Sequence, residues 1–227
     1  MKVAAFISGG KDSLLALHKV AEMHKVVSLV GVFPENADSY MFHSVNLHML
    51  DAVAESIGLP LKKIYVSGEE EKEVDELAEQ IGEIDAEAIC IGGIESNYQK
   101  KRFERICKKA GMELIAPLWK MDPEQIMHEI SDNFEAVIVS VSAMGLDESF
   151  LGRKIDKNCI EDLKKLRNKY GVHLAGEGGE YETFVLDAPL YRFKIKIDSM
   201  KKFWDGTRGY CLIERHSKIS KDSTKNF

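Results

Sequence analysis

A chain of 227 residues, 44% hydrophobic and 30% charged, has the balance of a folded globular protein, and its length allows one α/β domain or one with a smaller appendage. No apolar run approaches the ~18 residues that cross a bilayer, and Lys11 and Asp12 interrupt the apolar start, so no membrane partner is expected and a cytoplasmic location is the default. The net charge of −6 argues against a nucleic-acid surface, although residues 187–227 carry ten Lys and Arg against five Asp and Glu.

Val3 to Ile7 reads as a buried strand and Leu14 to Ala21 as a helix. Between them lies Ser8-Gly9-Gly10-Lys11-Asp12-Ser13. Two glycines let backbone approach an anion closely, and the amides and dipole at a helix start favour negative charge. Lys11 adds a cation and the serines add hydroxyl donors. Asp12 makes sense beside a polyphosphate mainly as a ligand of a bridging Mg²⁺. The spacing is not that of a Walker A loop. It matches the SGGxDS pyrophosphate loop of the N-type ATP pyrophosphatases, a resemblance that implies ATP cleavage between the α- and β-phosphates.

Val26 to Phe33 is a second buried strand, ended by Pro34-Glu35-Asn36. Strand, helix and strand make a βαβ unit with parallel strands, whose ligand loops sit at the carboxyl ends. The backbone near Phe33 is a candidate adenine contact. Asp38 to His43, with Tyr40, is polar enough to line a site. Val45 to Ile57 reads as a helix, Leu61 to Val66 as a third strand and Glu69 to Ile81 as an acidic helix. Glu87 to Ile94 is a fourth strand ending in Gly92-Gly93, which should lie beside the first loop and allow close approach to a ribose or α-phosphate. In the next helix, capped by Ser96 or Asn97, Tyr98 and Arg102 share a face. Arg102 can hold a carboxylate or phosphate bidentately.

Leu114 to Trp119 is a short fifth strand, Pro123 to Ile130 a helix and Phe134 to Val141 a sixth strand. A helix follows from about Lys157 to Tyr170. The character of the chain changes near residue 130, which predicts a nucleotide-binding domain over 1–130 and a smaller domain over 131–227. Arg192 to Ile197 and Tyr210 to Glu214 alternate as strands, and Ser217 to Phe227 reads as a loose polar tail. The four cysteines form no C-x-x-C pair, which argues against a zinc or iron–sulfur site, and Cys90 reads as a core residue.

Gly176-Glu177-Gly178-Gly179-Glu180-Tyr181-Glu182-Thr183-Phe184 is the second unusual stretch. Carboxylates packed this tightly repel one another unless a metal, a cation or a proton shares the space. They suit a cationic substrate, a second metal ion or deprotonation of ammonium.

The Ser8–Ser13 loop, Ser39-Tyr40-Met41, Tyr98-Gln99 with Arg102, Met144-Gly145-Leu146, Leu151-Gly152-Arg153 and the Glu177–Thr183 run together resemble the diphthine–ammonia ligase family of ATP pyrophosphatases. The resemblance runs from residue 3 to about residue 190. It implies an α/β fold with a doubly wound, mostly parallel sheet of the adenine-nucleotide α-hydrolase-like type and a smaller C-terminal α+β domain. It implies ATP-dependent amidation, through an acyl-adenylate, of diphthine on translation elongation factor 2, with ATP and Mg²⁺ as cofactors and ammonium as co-substrate. By the same resemblance Ser8, Gly9, Gly10, Lys11, Asp12 and Ser13 hold the phosphates, with Asp12 near the metal. Phe33, Gly92 and Gly93 complete the nucleotide contacts. Tyr40, Tyr98, Gln99, Arg102, Glu177, Gly178, Gly179, Glu180, Tyr181, Glu182 and Thr183 face the substrate, whose quaternary ammonium the carboxylates and the Tyr40 or Tyr181 ring would attract. Lys11, Asp12 and Glu180 are the candidate catalytic residues.

With no glutaminase domain in the chain, free ammonium or a separate subunit is the expected donor. The extra C-terminal domain of longer family members is not expected, and a homo-oligomer is compatible with the sequence. Three other readings compete: a tRNA-modifying ATP pyrophosphatase, a relative acting on another carboxylate as in cobalamin salvage, and a module that senses ATP without hydrolysing it.

Overall fold

The computed structural model describes residues 1–35, 45–69 and 72–221. Packing divides the chain into two compact units, Met1–Leu50 with Leu59–Asp122 and Asp51–Gly58 with Pro123–Phe227. The division thus falls before the helix that follows Asp122, where the sequence places it near residue 130, and the second unit also takes a short helix from within the first stretch.

The first unit is a five-stranded parallel sheet in the order β3-β2-β1-β4-β5, formed by β1 (Lys2–Phe6), β2 (Lys25–Pro34), β3 (Leu61–Val66), β4 (Ala88–Cys90) and β5 (Glu113–Ile115). Val3, Ala4 and Ala5 are all buried, as a central strand covered on both faces requires. The order reverses at β1. Helix α1 (Lys11–Met23) carries the chain from β1 to β2. Helices α3 (Lys72–Ile81) and α4 (Asn97–Ala110) belong to connections running the other way. Right-handed crossovers in opposite directions put helices on opposite faces. Accordingly Val74, Leu77, Ile81, Phe103 and Ile106 share one core cluster with Phe6, Val30, Ile64 and Ile89. The doubly wound expectation holds, and the switch point lies between the carboxyl ends of β1 and β4.

The helix read over Val45 to Ile57 is a single 3₁₀ turn, Leu47–Met49, followed by α2 (Leu50–Ile57). Strand β4 ends at Cys90, well short of Ile94, with one further bond to β5 from Ile91 N–H to the Ile115 carbonyl.

The second unit is an antiparallel sheet in the order β7-β6-β9-β8, from β6 (Glu135–Val141), β7 (Tyr181–Asp187), β8 (Phe193–Trp204) and β9 (Gly209–Ser220). Helices α5 (Pro123–Asn133) and α6 (Lys157–Tyr170) complete it with residues of α2. Helix α6 has the bounds its signals predict: Asp156 accepts from Cys159 N–H at 2.8 Å, and Gly171 ends it at φ +76°. Strands β8 and β9 form a ribbon twice the length read from alternation. Ser217–Ser220, expected in a loose tail, pair with Phe193–Lys196. The alternation fails because the register slips twice, between Ile197 and Met200, and much of the ribbon is exposed. At its tip the Asp205 carboxylate accepts the amides of Thr207 and Arg208, which hold its carboxyl below the usual range. Among the described residues no helix is long and apolar enough to cross a membrane.

Candidate active site

The first unit builds a Gly-Gly turn into a helix start from local chemistry. The chain leaves β1 through Ile7, turns at Gly9 with φ +82° and enters α1 at Gly10. Gly10 is the N-cap and carries no side chain, so no side-chain cap covers the first turn. The serines instead brace the turn itself. Ser8 N–H donates to Ser13 Oγ at 3.2 Å, and Ser13 Oγ donates to the Gly10 carbonyl at 3.0 Å. Lys11 is 2% exposed, and its Nζ donates to Asp12 Oδ2 at 2.8 Å. The Asp12 side chain keeps 26% of its surface exposed.

Gly92 shows why this end of β4 must be glycine. A Cβ there would meet backbone, 2.6 Å from Ser13 N and 2.8 Å from Asp12 C. The fourth strand therefore does end beside the first loop, with Gly92 pressed against the start of α1. Gly93 differs, since a Cβ on it would meet only Ile91 Cδ1 at 3.8 Å.

Phe33 lies in the last turn of pairing of β2, with its ring 5.5 Å from that of Tyr65 and Lys63 Nζ 5.9 Å from its centroid. On α4, Ser96 accepts the Gln99 amide, so Ser96 rather than Asn97 is the cap. Arg102 is 6% exposed, and its guanidinium carbon lies 3.8 Å from the Tyr98 ring centroid, which realises the shared helix face. Tyr40 lies outside the described residues.

In the second unit the Glu-Gly run is a braced loop leading straight into β7. Gly176 and Gly179 take φ +72° and +80°, a conformation open to glycine. A Cβ on Gly176 would also strike the Tyr181 carbonyl at 2.9 Å. Ser142 at the end of β6 donates its amide to the Glu180 carbonyl and its hydroxyl to the Gly179 carbonyl, at 2.9 and 2.7 Å. Glu180 folds its carboxylate back over Gly178, and Oε1 accepts the His173 amide at 2.9 Å. His173 Nδ1 accepts the amides of Ala175 and Glu177, each at 3.2 Å. Sequence reading passed over His173; its signal was a polar residue between Val172 and Leu174, both buried.

Two placements change how the run is read. Tyr181 is 3% exposed and donates its hydroxyl to the Leu174 carbonyl at 2.6 Å, so its ring anchors the loop and offers no open face to a cation. Thr183 is buried one strand step further on, while Glu182 between them is half-buried. Of the other quoted stretches, Leu151-Gly152-Arg153 bonds to β6, with Gly152 N–H donating to Ile138 and Ile138 N–H to Arg153. Leu146 is buried and Met144 is 75% exposed.

Among the described residues no three His, Cys, Asp or Glu side chains form a metal cluster. The Asp12 carboxylate, partly exposed at the start of α1 and paired with Lys11, fits Mg²⁺ nonetheless, because that ion is commonly held by one or two carboxylates plus substrate phosphates.

Residues 1–114 match the family model of the diphthamide synthase N-terminal domain, and residues 122–219 that of the diphthamide synthase C-terminal domain. A Bos taurus protein named diphthine–ammonia ligase is 40% identical over 225 residues, covering 88% of this chain and 84% of its own. The Homo sapiens protein of that name is 39% identical with the same coverage. The one from Schizosaccharomyces pombe is 35% identical over 94% of this chain and 39% of its own. The solved chain titled "predicted subunit of tRNA methyltransferase", from Methanocaldococcus jannaschii, is similar at a TM-score of 0.45 and 17% identity, covering 83% of this chain and 98% of that one.

Proposed function

This chain belongs to the diphthamide synthase family, and from that premise we propose that it is an ATP-dependent ligase that amidates diphthine on elongation factor 2 with ammonia. The observation that carries the reading is the likeness of the chain to proteins named for that reaction, together with a Gly-Gly turn that enters a helix at Lys11.

In this reading the triphosphate sits at the start of α1. Its charge meets the amides of the first turn and Lys11, a cation already desolvated and so strong at short range. Asp12 would hold Mg²⁺, which when bound neutralises phosphate oxygens. An oxygen of the diphthine carboxylate bonds to the α-phosphorus, and the bond from that phosphorus to pyrophosphate breaks. Ammonia then bonds to the acyl carbon, AMP leaves with the bridging oxygen, and the nitrogen gives up a proton. Arg102, stacked on Tyr98 and so fixed in orientation, is suited to a carboxylate or phosphate. Glu177, Glu180 and Glu182 supply the negative charge that a trimethylammonium requires, and with Tyr181 buried this attraction falls to the carboxylates.

The test is incubation with ATP, Mg²⁺, ammonium and elongation factor 2 bearing diphthine. AMP should form only when all are present, and the factor should change mass as expected for replacing a hydroxyl by an amino group. AMP released on RNA instead, or no AMP at all, would overturn the reading.

A further inference from the structure

Three glycines in four positions make residues 176–179 the most conformationally costly part of the second unit to order. The structure meets that cost from two residues outside the run, Ser142 on its Gly179 side and His173 on its Gly176 side. His173 accepts two loop amides on Nδ1, from Ala175 and Glu177, while its own amide binds the Glu180 carboxylate. Its carbonyl accepts a third loop amide, that of Gly176, at 2.9 Å. A ring nitrogen accepts N–H groups through its lone pair, and here that nitrogen is Nδ1. Buried Val172 and Leu174 on either side fix the backbone that carries it. It is the Nδ1 atom that accepts these two amides.

We propose that His173 is a positioning residue: through Nδ1 it fixes the backbone of the Glu177–Glu180 loop in the shape that the cationic acceptor meets. The catalytic half of this inference rests on the reading above, and the loop-ordering half stands without it.

Two replacements separate the atoms. Asn places an acceptor oxygen where Nδ1 lies, whereas Gln places one where Nε2 lies. His173→Asn should therefore keep the amides of Ala175 and Glu177 protected from hydrogen exchange, while His173→Gln and His173→Ala should lose that protection. In amidation, the Gln and Ala variants should show kcat/KM for the acceptor protein lowered roughly tenfold or more, the scale of two ordinary hydrogen bonds lost. The KM for ATP should stay within about twofold, and His173→Asn should recover most of the loss. Equal loss of protection in all three variants would overturn the proposal and mark His173 as a space-filling residue. Rescue by Gln and not Asn would overturn it in favour of Nε2. If the wild-type chain fails to amidate, the exchange pattern still decides the loop-ordering role.

Discussion

Replacing Gly92 by alanine is the sharpest probe of how the first unit holds its loop. The new Cβ would lie 2.6 Å from Ser13 N and 2.7 Å from Ser13 Cα, about 0.8 Å inside the 3.4 Å at which ordinary contact begins. Both atoms are backbone of the first helical turn, so no rotamer change relieves the clash. Either β4 slides away from β1 or the start of α1 lifts, and both disturb packing among residues such as Ala5 and Leu14, which are at most 1% exposed. Overpacking of this kind costs about 1–3 kcal/mol. At an m-value of about 2 kcal/mol/M that corresponds to a fall of roughly 0.5–1.5 M in the urea midpoint. The moved helix start also carries Lys11 and Asp12, so turnover should drop by roughly tenfold to a hundredfold, the usual result of a misplacement of up to an ångström. Gly93→Ala is the internal control, with its Cβ 3.8 Å from the nearest atom and no left-handed φ, and its urea midpoint should match the wild type. A Gly92→Ala protein with wild-type midpoint and turnover, or the same loss from Gly93→Ala, would refute the packing argument.

Three further outcomes are expected. Glu180→Gln keeps an oxygen to accept the His173 amide but removes the charge, so kcat/KM for the acceptor should fall about tenfold, roughly 1.4 kcal/mol, with ATP affinity by calorimetry unchanged. A matching loss of ATP affinity would show the change spreading through the fold. Tyr181→Phe strips the hydroxyl from the Leu174 carbonyl and should lower stability by about 0.5–1.5 kcal/mol in urea unfolding, and a neutral result would mean that bond contributes nothing. Burial pushes the Cys90 thiol up to about 12 and those of Cys107 and Cys159 to about 11, and raises that of Cys211 as well. All four stay protonated and covered at pH 8, so a thiol reagent should react only after denaturation. Prompt native labelling of any one would contradict the packing around it.

Local chemistry made much of the first unit legible in the sequence. A strand whose residues are all apolar, a Gly-Gly turn and a helix start are contiguous signals. The long ribbon was harder to read because its register slips twice and its faces are not cleanly divided between core and water. Tyr181 shows the limit for the site. Composition counts it with the glutamates beside it, but strand alternation sends its ring inward and leaves Glu182 turned the other way. His173 was missed because a polar residue between Val172 and Leu174 is a weak signal, and accepting amides from residues two and four positions ahead adds nothing to it.

Helix α2 has a consequence for how the molecule is made. Its residues from Asp51 onward belong with strands synthesised much later, so the second unit is completed by two separate visits of the chain. The Ser56 carbonyl waits for the Arg192 amide and the Glu55 carboxylate for Lys218, both encoded far downstream. A fragment beginning at Pro123 would lack those partners, and no single crossover between genes could transplant this half intact into another protein.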